Sequence, residues 1–437
     1  MFKVLSKRLF LVAVVCGLLG AAGVRLAGAQ ALTLEETVAA GLAANPNVEA
    51  TRQVLEEARL RVKAARGGFL PTLTVQSNYQ RYTQSGDVTS IDYLDRDIWT
   101  SSLRLSQPLF AGYAILTAYQ KAKLQVDMEQ ERLAQARLEL IINIRRDFFL
   151  LLKLREDLRT VDNEIERIDN QLQASTVFFK SGLVPNNDVL KNEVELARSR
   201  TDRVKIENQI KNQITQLNTY RAAPLNESVD YVGDLRAYAF AVSYDETKAI
   251  STALLQRPDL RLGQKSIEIA QKEAKERFAS YYPQVNLDFS HQHEKTEYDD
   301  YIYSQATQDS ETLGISLQWN LFDGGTTTYN YKAAKKHITV LEKSLENQIN
   351  EAQAAIVKAF TDIDDAEKLI KLTLRSRDSA QENYNMTAAR YRTRIGTIND
   401  LFDAQYYLTR AEADISNAYM QYQTSKATLY YQIGSEE

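Results

Sequence analysis

Residues 107–112 read Gln-Pro-Leu-Phe-Ala-Gly, and residues 319–324 read Trp-Asn-Leu-Phe-Asp-Gly. The two stretches share a Leu-Phe-x-Gly core, and they lie 212 residues apart, since 322 − 110 = 212. Other motifs recur at the same spacing: Pro46 with Pro258, Pro71 with Pro283, and Asp188 with Asp400. One register held along the chain predicts two tandem repeats, each built from the same elements in the same order.

Each repeat contains one long stretch without glycine or proline, over residues 113–181 and 326–395. Apolar side chains in both stretches are spaced by threes and fours, which is the period of helices that supercoil. These positions are Leu151, Leu154, Leu158, Val161, Ile165, Ile168 and Leu172 in the first, and Ile349, Ala352, Ile356, Ala359, Ile363, Ala366 and Ile370 in the second. The pattern predicts helices over about 112–180 and 326–391, each about 100 Å long.

Shorter helical segments flank each long helix. In the first repeat they cover about Pro46 to Arg66 and about 186–221, or roughly 30 and 55 Å, so in series they nearly match the long helix. The corresponding late helix of the second repeat is predicted over about 397–433. By periodicity alone an ordinary dimeric coiled coil fits equally well. The strands favour a different architecture.

Two segments of alternating polarity lie between the short and long helices of each repeat, and they predict strand pairs over about 72–109 and 284–321. Apolar members of the pattern are Leu73, Val75, Tyr79, Trp99, Leu103, Leu105 and Leu109 in the first pair, and Val285, Leu287, Phe289, Leu313, Ile315, Leu317, Trp319 and Leu321 in the second. Alternation over about ten residues, with aromatics near the ends, is typical of membrane barrel strands. The alternative is a half-buried soluble hairpin. The acidic segments 85–97 and 294–311 are predicted to be exposed loops.

The first residues of the chain indicate export. Residues 1–29 combine early basic residues, an apolar run over 9–19 and an Ala-Gly-Ala ending, which is the pattern of a secretory signal peptide. Cleavage there predicts a mature chain that begins near Gln30. The alternative is lipidation at Cys16, the sole cysteine.

Charge and hydropathy limit the partners. The formal charge of −4 includes four basic residues and no acidic ones in the signal, so the mature chain is at −4 − 4 = −8. A negative chain of this kind is not expected to bind nucleic acid. After the signal, the sequence contains no run of about 18 uncharged apolar residues, so strands would have to make any membrane crossing.

Four strands are too few to close a membrane barrel, since the smallest such barrels have about eight. Two chains would supply eight strands around a filled interior, whereas three would supply twelve strands and leave room for a pore. The sequence therefore predicts a mixed α and β fold. In it, a trimer shares a twelve-stranded transmembrane β-barrel, with four strands per chain, that continues into a long α-helical barrel.

Together these features resemble the TolC-type outer membrane efflux family. The segments that carry the resemblance are 42–46, 69–71, 107–112, 179–190, 319–324 and 391–405. It implies a homotrimer in the bacterial outer membrane with its helical barrel in the periplasm. It also implies a passive exit duct of a tripartite efflux or type I secretion system, fed through a periplasmic adaptor protein by an inner membrane pump.

The resemblance assigns roles to residues at the far ends of the long helices. The turns there carry the adaptor contacts, which fall on Gly182, Leu183, Gly396 and Thr397. Arg394 stands where the family usually has glycine, so the second turn is expected to differ in shape.

A periplasmic gate is implied beside these turns. Asp400 and Asp403 correspond to a constricting acidic ring, and Tyr391 and Asp188 correspond to residues that latch the closed mouth. Gly396 replaces the basic latch partner, for which Arg394 or the neighbouring Arg392 is the substitute. A plainer interpretation of Asp400 is a helix cap formed with Thr397.

The resulting domain organisation is a first repeat over 30–221, an equatorial connector over 222–243 and a second repeat over 244–434. We find no catalytic, cofactor-binding or metal-binding motif, and His291 with His293 lacks a third ligand. The sequence thus predicts a channel and no enzyme. The competing hypothesis is an exported coiled-coil or adhesin stalk without a pore.

Overall fold

The computed structural model describes residues 31–83, 95–237, 245–298 and 305–436. The signal peptide predicted over residues 1–29 and part of the connector lie outside these ranges. The helices are α1 (Leu34–Ala44), α2 (Pro46–Gly67), α3 (Ala114–Lys180), α4 (Asn186–Tyr220), α5 (Glu246–Gln256), α6 (Pro258–Phe278), α7 (Thr326–Arg392) and α8 (Ile398–Ile433). The strands are β1 (Ala31–Leu32), β2 (Thr72–Tyr82), β3 (Arg96–Ala111), β4 (Asp230–Tyr231), β5 (Gln284–Tyr298) and β6 (Gln305–Gln318).

Each repeat has the same succession of two short helices, two long strands, one long helix and one helix of intermediate length. The first repeat uses α1, α2, β2, β3, α3 and α4, and the second uses α5, α6, β5, β6, α7 and α8. This order confirms the tandem repeat that the 212-residue spacing predicted. Within the described ranges, no helix combines the length and the apolar character needed to cross a bilayer.

The long helices α3 and α7 contain 67 residues each, so each extends for about 100 Å. Helices α2 and α4 both pack on α3, and α6 and α8 both pack on α7. Each repeat is therefore a wall in which one long helix lies beside two shorter ones in series. The two walls join where α3 packs against α6 and α8.

The supercoil positions of α7 form its buried side. Ala352, Ile356, Ala359, Ile363, Ala366 and Ile370 are all buried. They pack against residues of α8 that include Tyr422 and Leu429. Small alanine side chains between the isoleucines allow the two helix axes to approach closely, which lets the isoleucines fill the space between them.

A second core lies where the connector crosses α3. Phe148 and Ile144 are fully buried there with Tyr231 of β4. Strand β4 pairs in parallel with β1, and Arg155 of α3 donates a hydrogen bond to the Tyr231 carbonyl oxygen. The connector is thus held between the first residues of repeat one and the middle of its long helix.

The four long strands form one antiparallel sheet in the order β2-β3-β5-β6. The loop predicted over residues 294–311 is wrong over most of its length, because β5 continues to Tyr298 and β6 begins at Gln305. These residues alternate in chemistry without being apolar, so their pattern hid the strand. Backbone pairing and cross-strand contacts such as His293 with Asp309 continue the ladder.

Strand β6 ends at Gln318, short of the predicted Leu321. Its partner β5 begins at Gln284, which pairs with Gln318, so the ladder has no further residue to bond. Trp319 instead donates its indole N–H to the Tyr281 carbonyl oxygen at 3.1 Å. Phe322, in the segment that leads to α7, is 87% exposed.

Candidate functional site at the helix tips

The candidate site lies where the long helices end, about 100 Å from the sheet. Helix α3 ends at Lys180, and the chain reverses into α4 through Gly182, which has a left-handed φ of 71°. Gly182 N–H donates to the Phe179 carbonyl oxygen, and Leu183 N–H donates to that of Phe178. A Cβ added at Gly182 would meet no atom within 4 Å, so the turn needs glycine for its φ and not for space.

The second turn has the same shape, although Arg394 replaces the glycine. Arg394 has a φ of 63°, and its N–H donates to the Tyr391 carbonyl oxygen, as Gly182 does to Phe179. Ile395 N–H then donates to the Arg390 carbonyl oxygen, as Leu183 does to Phe178. The expected difference in shape is therefore not observed. The position of the turn relative to two packed helices fixes the backbone, and arginine accepts the strained φ.

The Arg394 side chain crosses to the other repeat. Its guanidinium carbon lies 5.7 Å from the centre of the Phe178 ring on α3, which is within the range of a cation–π interaction. In the described residues, Arg394 makes no ion pair with Asp188. The predicted substitute for the basic latch therefore contacts an aromatic ring and not the carboxylate.

The first turn of α8 is closed by a capping box. Thr397 N–H donates to Asp400 Oδ2 at 2.9 Å, and Asp400 N–H donates to Thr397 Oγ1 at 3.2 Å. Hydrogen bonds from the Thr397 backbone and side chain lower the pKa of Asp400 from its ordinary value of 3.8. Asp400 is therefore an ionised helix cap within one chain.

Asp403 lies on the next turn of α8 and is exposed. Residues three apart share a helix face, so its carboxylate lies on the side of α8 that carries Asp400. Unlike Asp400, it has no role in the cap. Of the two acids, Asp403 is the one whose charge is free to act on solutes.

Tyr391 and Asp188 lie together, as the sequence predicted. The Tyr391 hydroxyl lies 3.5 Å from Asp188 Oδ2, at the limit of a hydrogen bond. Tyr391 is only 5% exposed and packs with Ile398 and Leu401. Burial, followed by the nearby Asp188 carboxylate, raises the pKa of Tyr391, so its hydroxyl keeps its proton as the donor.

One tip contact was missed by the sequence analysis. Lys191 of α4 donates from Nζ to Asn399 Oδ1 on α8 at 2.9 Å, which joins the tips of the two repeats. A signal for it was present, because Lys191 stands 212 residues before Asp403. The repeat register that singled out Asp403 thus also marks Lys191.

The histidines noted in the sequence lie on the sheet, far from the tips. His293 Nδ1 lies 2.6 Å from Asp309 Oδ1, and His291 Nδ1 lies 3.5 Å from Glu311 Oε1. These are cross-strand pairs. Among the described residues, no group of three His, Cys, Asp or Glu side chains is placed to hold a metal ion.

The sequence profile described as outer membrane efflux protein matches this chain twice, over residues 38–222 and 249–435. The chain belongs to the outer membrane efflux protein family. The two matches fall one on each repeat, and they include both helix tips and all four long strands.

Relatives of this efflux protein span nearly its whole length. It is 23% identical to the outer membrane protein TolC of Salmonella enteritidis over 404 residues, which cover 90% of this chain and 79% of TolC. It is also 23% identical to the alkaline protease secretion protein AprF of Pseudomonas aeruginosa, over 89% of this chain and 82% of AprF. The outer-membrane channel OprN has the same fold, with a TM-score of 0.78 at 17% identity over 92% of this chain and 90% of OprN.

The mixed helical and sheet fold with two repeats is therefore that of outer membrane channels, as predicted. The efflux protein is an outer membrane exit duct of the kind used in efflux and secretion. Its family is one of channels, which disfavours the stalk without a pore.

Proposed function

We propose that three copies of this efflux protein form one continuous duct through which cargo passes from the periplasm to the outside. The observation that carries this proposal is the order of elements in one chain. The sheet runs β2-β3-β5-β6, and the helices beyond it pack as α2-α3-α6-α7 and then as α4-α3-α8-α7. Every layer begins with a first-repeat element and ends with a second-repeat element.

The two edges of the sheet are open. Strand β2 presents 11 residues and β6 presents 14, and every residue of both strands is exposed. In a bilayer, each unpaired backbone group costs several kcal/mol, so these edges need partner strands. Because the strand number is even, β6 of one copy can pair antiparallel with β2 of the next. Three copies then give twelve strands and an open pore.

The helical edges support the same arrangement. On α4, Val189 and Leu196 are buried against α3, whereas Leu190, Val194 and Val204 are at least half exposed. An exposed apolar row on a long helix favours a partner helix. In the proposed ring this row faces the next copy, where α7 forms the opposite edge.

At the periplasmic mouth, the proposed constriction consists of Asp400 and Asp403 from each copy. Tyr391 and Asp188 are the proposed latch. Three copies bring six carboxylates near one axis, which raises the local concentration of cations. The capping role of Asp400 supports a rigid placement of this ring at the first turn of α8.

The tip turns are the proposed docking points for a periplasmic adaptor protein. Leu183 and Ile395 are exposed apolar residues at matching positions of the two turns, with 41% and 73% exposure. Gly182, Gly396 and Thr397 complete these turns. An inner membrane pump would supply the energy, since the duct is passive.

The test is the mass and conductance of the purified protein in detergent and in planar bilayers. We expect a particle of three chains with its detergent belt around the sheet and single channels of stable conductance. A monomeric particle, or a trimer that never conducts, would contradict the proposal. Removing residues of the β2 edge by Val75→Pro should abolish assembly, because proline cannot donate to a partner strand.

A further inference from the structure

Three side-chain contacts join the two helix tips of one chain. Lys191 donates to Asn399, the Arg394 guanidinium lies over the Phe178 ring, and the Tyr391 hydroxyl faces Asp188. Each contact links a first-repeat residue to a second-repeat residue. We call these three contacts the tip latch.

The repeat register shows what stands at the equivalent positions. Counterparts lie 212 residues away: 191 + 212 gives Asp403, 394 − 212 gives Gly182, and 391 − 212 gives Phe179. None of the three counterparts carries the group that makes its contact. The lysine ammonium becomes a carboxylate, the guanidinium is absent, and the tyrosine loses its hydroxyl.

In a ring of copies, the repeats alternate, so two kinds of boundary exist. One lies between the repeats of a single chain and carries the tip latch. The other lies between neighbouring chains, where Asp403 would face Asn187 of the neighbouring copy and Asp400 would face its Phe179. A carboxylate cannot donate a hydrogen bond, and a phenyl ring has no hydroxyl to give.

Resting on the proposed trimeric assembly, we propose that the periplasmic mouth opens at the boundaries between chains while the two tips of each chain stay latched together. Each chain then moves as one unit at the mouth. Three boundaries hold and three part. Cargo that is anionic would meet Asp403 at the parting boundaries, so the open mouth favours cationic or neutral solutes.

Two matched substitutions test this without a change of charge. Phe179→Tyr adds the missing hydroxyl opposite Asp400 of the neighbouring copy, and Tyr391→Phe removes the existing hydroxyl within the chain. A net hydrogen bond of ordinary strength shifts an equilibrium by roughly two-fold to ten-fold. We therefore expect Phe179→Tyr to lower the open fraction in planar bilayers by about five-fold, and Tyr391→Phe to change it little.

A second pair tests the lysine position. Asp403→Lys installs at the boundary between chains the donor that Lys191 supplies within a chain, whereas Asp403→Met removes the charge alone. We expect the lysine variant to be more closed than the methionine variant. The trimeric mass of each variant, measured in the same detergent, checks that its assembly is intact.

The opposite pattern would overturn the inference. If Tyr391→Phe opened the mouth while Phe179→Tyr left the current unchanged, movement within a chain would be responsible. A wild-type protein that formed neither trimers nor channels would instead contradict the assembly itself. The two failures are distinguishable in one set of measurements.

Discussion

Ala222 and Gly434 lie 212 residues apart and share a left-handed backbone conformation, with φ of 51° and 84°. Each follows the last helix of its repeat, where the chain must turn out of the helix. Glycine adopts this conformation without strain, whereas alanine does so at a cost of about 1 kcal/mol or more. The repeat therefore conserves its own backbone path more closely than its residue types.

The relationship holds for all the left-handed residues in the described ranges. They fall into four pairs at one spacing: Gly112 with Gly324, Tyr113 with Gly325, Gly182 with Arg394, and Ala222 with Gly434. Three pairs have glycine in only one repeat. The packing of the long helices sets the conformation, and the chain tolerates a strained residue in one copy.

We predict that the pair 222 and 434 responds asymmetrically to exchange. Gly434→Ala should lower the free energy of unfolding by about 1 to 2 kcal/mol, because the new Cβ would also lie 3.1 Å from Arg257 backbone atoms. Ala222→Gly should leave stability unchanged or raise it slightly, since relief of strain offsets the entropy of glycine in the unfolded chain. Thermal unfolding followed by circular dichroism measures both. Equal losses in both variants would contradict the strain argument.

A second prediction separates crowding from backbone strain at the strand-to-helix junctions. Gly112 and Gly324 have similar φ values of 59° and 68°, but a Cβ on Gly112 would lie 2.4 Å from the Ala279 carbonyl oxygen. A Cβ on Gly324 would meet nothing within 4 Å. Gly112→Ala should therefore destabilise the protein by on the order of 2 kcal/mol more than Gly324→Ala. The matched melts decide it, and equal effects would show that φ alone matters.

The capping box at α8 predicts a local effect at the tip. Thr397→Ala removes the hydroxyl that accepts from Asp400 N–H, which should destabilise the first turn of α8 by about 1 kcal/mol. Amide hydrogen exchange should then speed up over residues 398–401 and stay unchanged at β5. Thr397→Ser keeps the acceptor and serves as the control. Faster exchange in the serine variant as well would argue against the cap.

The lowered pKa of Asp400 predicts an acid-sensitive tip. A depressed folded-state pKa contributes stability that is present above 3.8 and is lost as the pH falls through the folded value. Exchange at the start of α8 should therefore accelerate as the pH drops below 3.8, after correction for the intrinsic rate. Asp400→Asn cannot titrate and should lack this acceleration. An identical pH profile in both proteins would refute the assignment.

Asp403 is the better probe of the proposed acidic ring, because it takes no part in the cap. Asp403→Asn should weaken block of the single-channel current by divalent cations several-fold, through loss of three carboxylates from the ring. Its melting temperature should match that of the wild type. Replacing both aspartates with alanine should weaken block further, with some loss of tip order. Unchanged block in both variants would remove the gate assignment.

Much of the site could be placed from sequence. The register found Asp188 and Asp400, and the stretches without glycine or proline placed the turns at Gly182 and Gly396. The approach of Tyr391 to Asp188 followed from the family resemblance. Lys191 and Phe178 were not predicted, because their contacts cross between repeats more than 200 positions apart. No local period records such a meeting.

The sequence by itself determined the two repeats, the long helices and the alternating strands, because spacing, glycine placement and polarity act locally along the chain. Tertiary structure alone decided which residues cross between the tips and how far each strand extends. It also decided that Arg394 would keep a glycine-like turn. These outcomes depend on packing between elements, which fixes backbone and side-chain positions that no single segment can specify.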